Sequence, residues 1–154
     1  MSWWNRLFGG KSDTDARRPQ RLDYLNEALL LERQGDYDAA ITSYRLALRD
    51  HPDDQRVLQN MAIAYSRTGR LDEAIRTYRR AIELDPSQSG AHYGLAFLLI
   101  KRGDVAAAER HLEAFLANPP SGAEAERWVR HAEATLESLR NPAADDASAE
   151  PSEG

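Results

Sequence analysis

Three stretches of this chain recur at a spacing of 34 residues, and that period limits the possible folds more than any other feature. RQGDYDAAITSYRLALRDHP ends at Pro52, RTGRLDEAIRTYRRAIELDP at Pro86 and KRGDVAAAERHLEAFLANPP at Pro120. Gly35, Gly69 and Gly103 fall 34 apart, as do Ala40, Ala74, Ala108 and the three prolines. A unit recurring at this period is one supersecondary element that buries its apolar face against its own copies.

Each unit reads as two helices. Leu22, Leu25 and Leu29 precede the first glycine, Leu58, Met61, Ala62 and Tyr65 the second, and Tyr93, Ala96 and Leu99 the third. Steps of three and four residues between apolar positions place them on one helical face. The glycine enters the left-handed region at little cost and ends that helix. A second helix follows, marked by Ala40, Tyr44, Ala47 and Leu48, then by Ala74, Tyr78, Ala81 and Ile82. Small alanines let helix backbones approach, and the tyrosines fill the space beside them. Proline lacks an amide hydrogen and stops the pair.

Glycine, small residue, aromatic, small residue and proline at these offsets resemble the tetratricopeptide repeat. The resemblance covers residues 21–122 as three copies, 21–54, 55–88 and 89–122, with the second closest to the family pattern. It implies an all-α fold, a right-handed superhelical stack of helix-turn-helix units, or α-solenoid. The third copy departs: Leu112 stands at the aromatic position and Phe115 at the second small one. Phe115 is expected to contact the segment that follows. That segment, SGAEAERWVRHAEATLESLR, carries an apolar stripe of Ala125, Trp128, Val129, Ala132, Leu136 and Leu139. It resembles the capping helix that closes such arrays, over 123–140. Ser121 and Glu124, three apart, predict a capping box at its start, and Asn141-Pro142 predicts its end. Residues 141–154 hold four acidic and no basic residues and read as a disordered tail. Residues 11–20 read as a linker.

Nothing in the chain points to catalysis. His51, His92, His111 and His131 are dispersed, without HExxH spacing, and no serine lies in a nucleophile-elbow pattern. Zero cysteines exclude disulfides, cysteine nucleophiles and cysteine-ligated metals. Asp53-Asp54 and Asp72-Glu73 fall at helix starts, where the dipole favours them. No enzyme activity, metal or cofactor is expected, and the formal charge of −5 argues against nucleic-acid partners. The resemblance implies instead a scaffold that holds a protein or peptide segment on a concave face lined by the first helix of each pair. By that resemblance the groove positions are Leu22, Leu25, Leu29 and Arg33 in the first copy. The second offers Arg56, Gln59, Asn60, Ile63 and Arg67, and the third Tyr93, Phe97, Ile100 and Lys101. Leu29, Ile63 and Phe97 would form an apolar floor, and Arg33, Arg67 and Lys101 a cationic edge. Asn60 would hold a ligand's backbone amide. The plainer reading makes the leucines, Ile63 and Phe97 ordinary packing and the basic row solvated helix ends. Family members that grip acidic chaperone tails use basic and amide side chains where this chain has Leu25, Leu29, Gly90 and Gly94, so an apolar or amphipathic segment is the expected ligand.

MSWWNRLFGG stands apart. Trp3, Trp4, Leu7 and Phe8 share one side of a helical wheel, with Asn5 and Arg6 opposite. Burying four such side chains yields roughly 6–12 kcal/mol gross, and ordering the residues at ~1–2 kcal/mol each cancels much of it. Weak, reversible attachment follows. The receiving surface is a membrane interface, where tryptophan and Arg6 suit anionic lipid, the groove of this chain or of a neighbouring copy as internal ligand, or Leu22, Leu25 and Leu29 as a cap, with no fixed role as the remaining reading. A cytoplasmic protein is expected, peripheral to the inner face of a membrane under the first choice. Two other readings of the whole chain are a membrane-associated assembly factor held by this segment and a self-assembling homo-oligomer.

Overall fold

Local rules set each turn. The computed structural model describes residues 23–147, and among these the chain is helical without strands. Three helix pairs follow one another: α1 (Tyr24–Arg33) with α2 (Tyr37–Asp50), α3 (Gln55–Arg67) with α4 (Leu71–Leu84), and α5 (Ser89–Arg102) with α6 (Val105–Ala117). Then come α7 (Ala123–Arg140) and a short α8 (Pro142–Ala147). Within every pair the turn has one design. Gly35, Gly69 and Gly103 take φ of +79°, +75° and +86°, a region in which a side chain costs about 1–2 kcal/mol. The next amide then reaches back five residues, from Asp36 to Leu31, Arg70 to Tyr65 and Asp104 to Leu99, each at 2.9 Å. These bonds satisfy carbonyls left open at the helix end.

Asp36 and Asp104 act twice. Their amides close one helix, and their carboxylates accept from Ala39 N and Ala107 N to cap the next. Arg70 holds the same place in the second unit and supplies no side-chain cap; it pairs with Asp38 at 3.1 Å instead. Between units, Asp23 and Asp54 cap α1 and α3. His51 and Asp85, each before a proline, leave the helical region with ψ of 82° and 97°.

Each helix packs on the next, and α3 also on α5. The small positions are sealed: Ala28, Ala62, Ala96 and, in the second helices, Ala40, Ala74 and Ala108 are all 0% exposed. Tyr44, Tyr78 and Leu112 are buried in equivalent places. One core runs from α1 to α6, and a second joins Ala96, Leu112 and Phe115 to Ala132 and Leu136 of α7. Phe115 therefore does meet the closing helix.

Three expectations change. The Ser121–Glu124 capping box does not form: Gly122 occupies the N-cap at φ +112° and no side chain caps α7. The Pro119-Pro120 step and Gly122 bring the chain in at an angle that leaves Ser121 outside the first turn. Trp128 is not core, being 40% exposed at the edge of α7. The tail does not lose structure at Asn141, since α8 follows at once. Pro142 suits a first helical position and alanine is the best helix former. Residues 148–154, like 1–22 with Leu22 and the WWNRLF segment, lie outside the described residues.

Candidate peptide-binding groove

On α1, Leu25, Leu29 and Glu32 are spaced four and three apart and share a face. Ile63 and Ser66 hold the equivalent places on α3, and Phe97 on α5. Among the described residues the exposed large apolar side chains are Leu30, Ile63, Val105 and Trp128. Of these Ile63, 39% exposed, lines a cavity. That cavity, of about 270 Å³, opens between α3 and α5 and is lined by Ile63, Ser66, Arg67, Tyr78, Gly94, Phe97 and Leu98.

Its shape depends on a close approach. A Cβ added at Gly94 would stand 2.4 Å from the Tyr78 ring, so the phenol end of that ring packs closely on the backbone of α5. Burial pushes the Tyr78 hydroxyl up to about 12, and it stays neutral. Ile63 and Phe97 line the same cavity as this ring. Arg67 lies at the rim, its guanidinium 5.8 Å above the Tyr37 ring.

The predicted residues divide into groups. Ile63, Arg67 and Phe97 come together at the cavity. Leu25 and Leu29 are half-buried at the first-unit end, where Leu25 lines a separate cavity with Asp23, Tyr24, Ala47, Asp50, His51, Asp54 and Val57. Gln59 is engaged, its Nε2 donating to Gln88 Oε1 at 3.2 Å. Asn60 is half-buried and Arg33, Arg56 and Lys101 are exposed. Ile100 belongs to the core rather than to the groove, half-buried against the main cluster. Tyr93 is diverted: its ring meets those of Phe97, Phe115 and Trp128 at 4.7, 5.0 and 5.3 Å. Its hydroxyl and His131 Nδ1 are 2.6 Å apart, and burial raises its pKa while Arg127 opposes the rise. Phe97 stacks on His131 at 4.8 Å, so the groove ends where α7 crosses it. The apolar floor is thus broken. Ile63 and Phe97 share it, and Leu29 stands apart.

Sequence reasoning missed Tyr78, Gly94, Leu98 and His131. Gly94 carried a signal, because a glycine inside a helix destabilises unless something packs on it. Two buried polar atoms also lie near the first unit. Tyr44 Oη and Glu32 Oε1 have no hydrogen-bond partner among the described residues, although burial and then the Glu32 carboxylate raise the tyrosine's pKa. On the far side, His92 Nδ1 and His111 Nδ1 are 3.0 Å apart, with His92 Nε2 2.8 Å from the Pro86 carbonyl oxygen. Burial, then His92, Arg110 and Arg79, hold His111 below its ordinary value. Among the described residues no group of three or more His, Asp or Glu could hold a metal ion, and no helix is long and apolar enough to cross a membrane.

Two family models, both described as tetratricopeptide repeat, match residues 25–89 and 67–127. No curated protein matches the sequence. Among solved structures, the Yersinia enterocolitica type III secretion translocator chaperone SycD is 18% identical with a TM-score of 0.72, over 79% of this chain and 83% of its own. PcrH, a Pseudomonas aeruginosa protein, solved with the chaperone binding region of PopD, is 16% identical with a TM-score of 0.70, over 86% and 96%. The first repeat domain of Spaghetti (RPAP3), bound to the HSP90 peptide SRMEEVD, is 23% identical with a TM-score of 0.63, over 74% and 90%. At such identities the likeness is one of fold.

Proposed function

This chain belongs to the tetratricopeptide repeat family, and on that premise we propose that it is a non-catalytic interaction adaptor. Its concave groove would hold an apolar or amphipathic peptide segment. One observation carries the reading: a partly exposed isoleucine, a phenylalanine and a tyrosine ring line one open cavity between α3 and α5. Pockets that bind ligands are concave and mostly apolar with a few placed polar groups, and here Ser66 and Arg67 are those groups. At four positions, Leu25, Leu29, Gly90 and Gly94, the basic and amide residues that would favour an acidic tail are missing. Gly90 and Gly94 have no side chain, and a Cβ at either would run into Gln59 or Tyr78. The fold is seen with partner segments in two neighbours, the chaperone binding region of PopD on PcrH and the acidic HSP90 peptide SRMEEVD on Spaghetti, which supports a segment-binding role and leaves the apolar preference to the lining residues of this chain.

A displayed peptide library, panned on the full chain, tests the reading. Aromatic and branched aliphatic residues should dominate the selected sequences, and the Ile63→Asp/Phe97→Asp double variant should bind them at least tenfold more weakly. Circular dichroism of the variant should show the parent's helix content. Unchanged affinity in a folded double variant would remove the groove as the binding surface.

A further inference from the structure

We propose that, without a partner, the groove is occupied by this chain's own residues 3–8, which a partner must displace. This rests on the reading of the groove as a peptide site and adds how that site is regulated.

The described residues begin at Asp23, which lines the same open cavity as Leu25, the first residue of the groove stripe. Asp23 thus stands in the first unit, beside a cavity separate from the Ile63–Phe97 one. Phe8 lies 15 residues before Asp23, a span of up to about 50 Å when extended. The Ile63–Phe97 cavity lies between α3 and α5, two helix spacings of about 8–10 Å from α1. Reach is ample.

Charge favours the same placement. Residues 1–22 carry five basic and two acidic side chains, while the rest of the chain carries 15 and 23. Arg17, Arg18 and Arg21 immediately precede an edge that presents Asp23, Asp50 and Asp54, with Asp53 beside them. Opposite charges pull the segment toward the protein rather than away.

The apolar chemistry fits as well. An enclosed apolar cavity of about 150 Å³ accepts benzene, so an open one of about 270 Å³ has room for an indole ring. Trp3, Trp4, Leu7 and Phe8 offer aromatic and aliphatic surface to Ile63, Phe97, Leu98 and the Tyr78 ring. A tethered segment acts at an effective concentration of about 1 mM. With an intrinsic Kd of about 0.1 mM it weakens every competing groove ligand roughly tenfold.

The probe is a labelled synthetic peptide of residues 2–11, titrated into three full-length chains. It should bind Trp3→Asp/Trp4→Asp about tenfold more tightly than the parent. It should not bind the same chain when Ile63→Asp/Phe97→Asp is added. Equal binding to the first two, or retention by the third, overturns the proposal. Trp128→Phe leaves Trp3 and Trp4 as the only indoles. Their emission should be blue-shifted in that chain and shift to the red when Ile63→Asp/Phe97→Asp is introduced. Solvent-like emission that turns blue only with anionic phosphatidylglycerol vesicles assigns the segment to a bilayer and overturns the proposal. Sedimentation should show a monomer at all concentrations; a dimer that Trp3→Asp/Trp4→Asp dissolves overturns it in favour of exchange between copies. Circular dichroism confirms that each variant is folded. Library peptides that fail while the 2–11 peptide binds would sink the adaptor reading and keep this one, and the reverse pattern would do the opposite.

Discussion

The joint between α3, α4 and α5 and the joint between α5, α6 and α7 meet the same packing problem with different residues. At the first, Ala62, Ala74, Ala81 and Ala91 are 0% exposed, and one tyrosine ring lies on a glycine backbone. Backbones meet closely there, and another unit continues the surface. At the second, Phe115 replaces the small residue and meets Tyr93, around which Phe97, Trp128 and His131 gather. Among the described residues no further unit supplies a matching face, and a few large rings fill the space between α5 and α7. The regular joint distributes its stability over many small contacts; the terminal one concentrates it in a few.

Exchanging one residue across the comparison should give the largest effects. Phe115→Ala leaves a cavity in the terminal joint and should cost about 3–5 kcal/mol in urea unfolding. Ala81→Phe, the reciprocal change, overpacks the regular joint and should cost about 1–3 kcal/mol or more. A loss below 1 kcal/mol in Phe115→Ala would contradict the concentration of stability at the terminal joint. Gly94→Ala comes next. In an exposed helix it would stabilise by about 1 kcal/mol, but here its Cβ meets the Tyr78 ring, so a net loss of about 1–3 kcal/mol is expected. A gain would show that the ring does not lie on α5. Asp54→Ala removes a carboxylate that accepts from both Arg56 N and Val57 N and should cost about 1 kcal/mol.

The smallest effect depends on pH. His111 titrates below its ordinary 6.5 in the folded protein, so on acidification the unfolded chain binds the proton first. Its contribution is present above about pH 6.5 and declines as pH falls from there toward the folded value. His111→Thr, which copies Thr77 of the preceding unit, should flatten that part of the stability profile. An unchanged acid limb would assign it to other groups.

How far the fold was legible in the sequence follows the same division. Gly69 and Pro86 constrain the backbone wherever they stand, and their recurrence reveals the stack without any tertiary information. Ala74 also speaks directly, since only a small side chain leaves room for a neighbouring helix. Tyr93 does not. Its spacing places it in the groove as well as beneath a closing helix, and only the path of α7 decides between them. The Ser121–Glu124 pair likewise matches a capping pattern, yet Gly122 determines the entry angle and excludes it. Ile63 and Phe97 were found because the family resemblance puts their positions in the groove, and the 34-residue spacing makes them equivalent in successive units. Tyr78 was overlooked at the site because its own repeat position identifies it as core; its second role comes from what a glycine on another helix leaves uncovered.

Arg140 faces both Glu109, at 3.7 Å, and Glu113 on α6, so α7 is tied at its last residue while its first turn has no side-chain cap. Those ion pairs are solvent-exposed and worth little, whereas the rings of Trp128 and His131 hold the first half of α7 to Tyr93 and Phe97. The array's usable length is therefore set where those rings cross it, and the last turn of α7 can loosen without lengthening the groove.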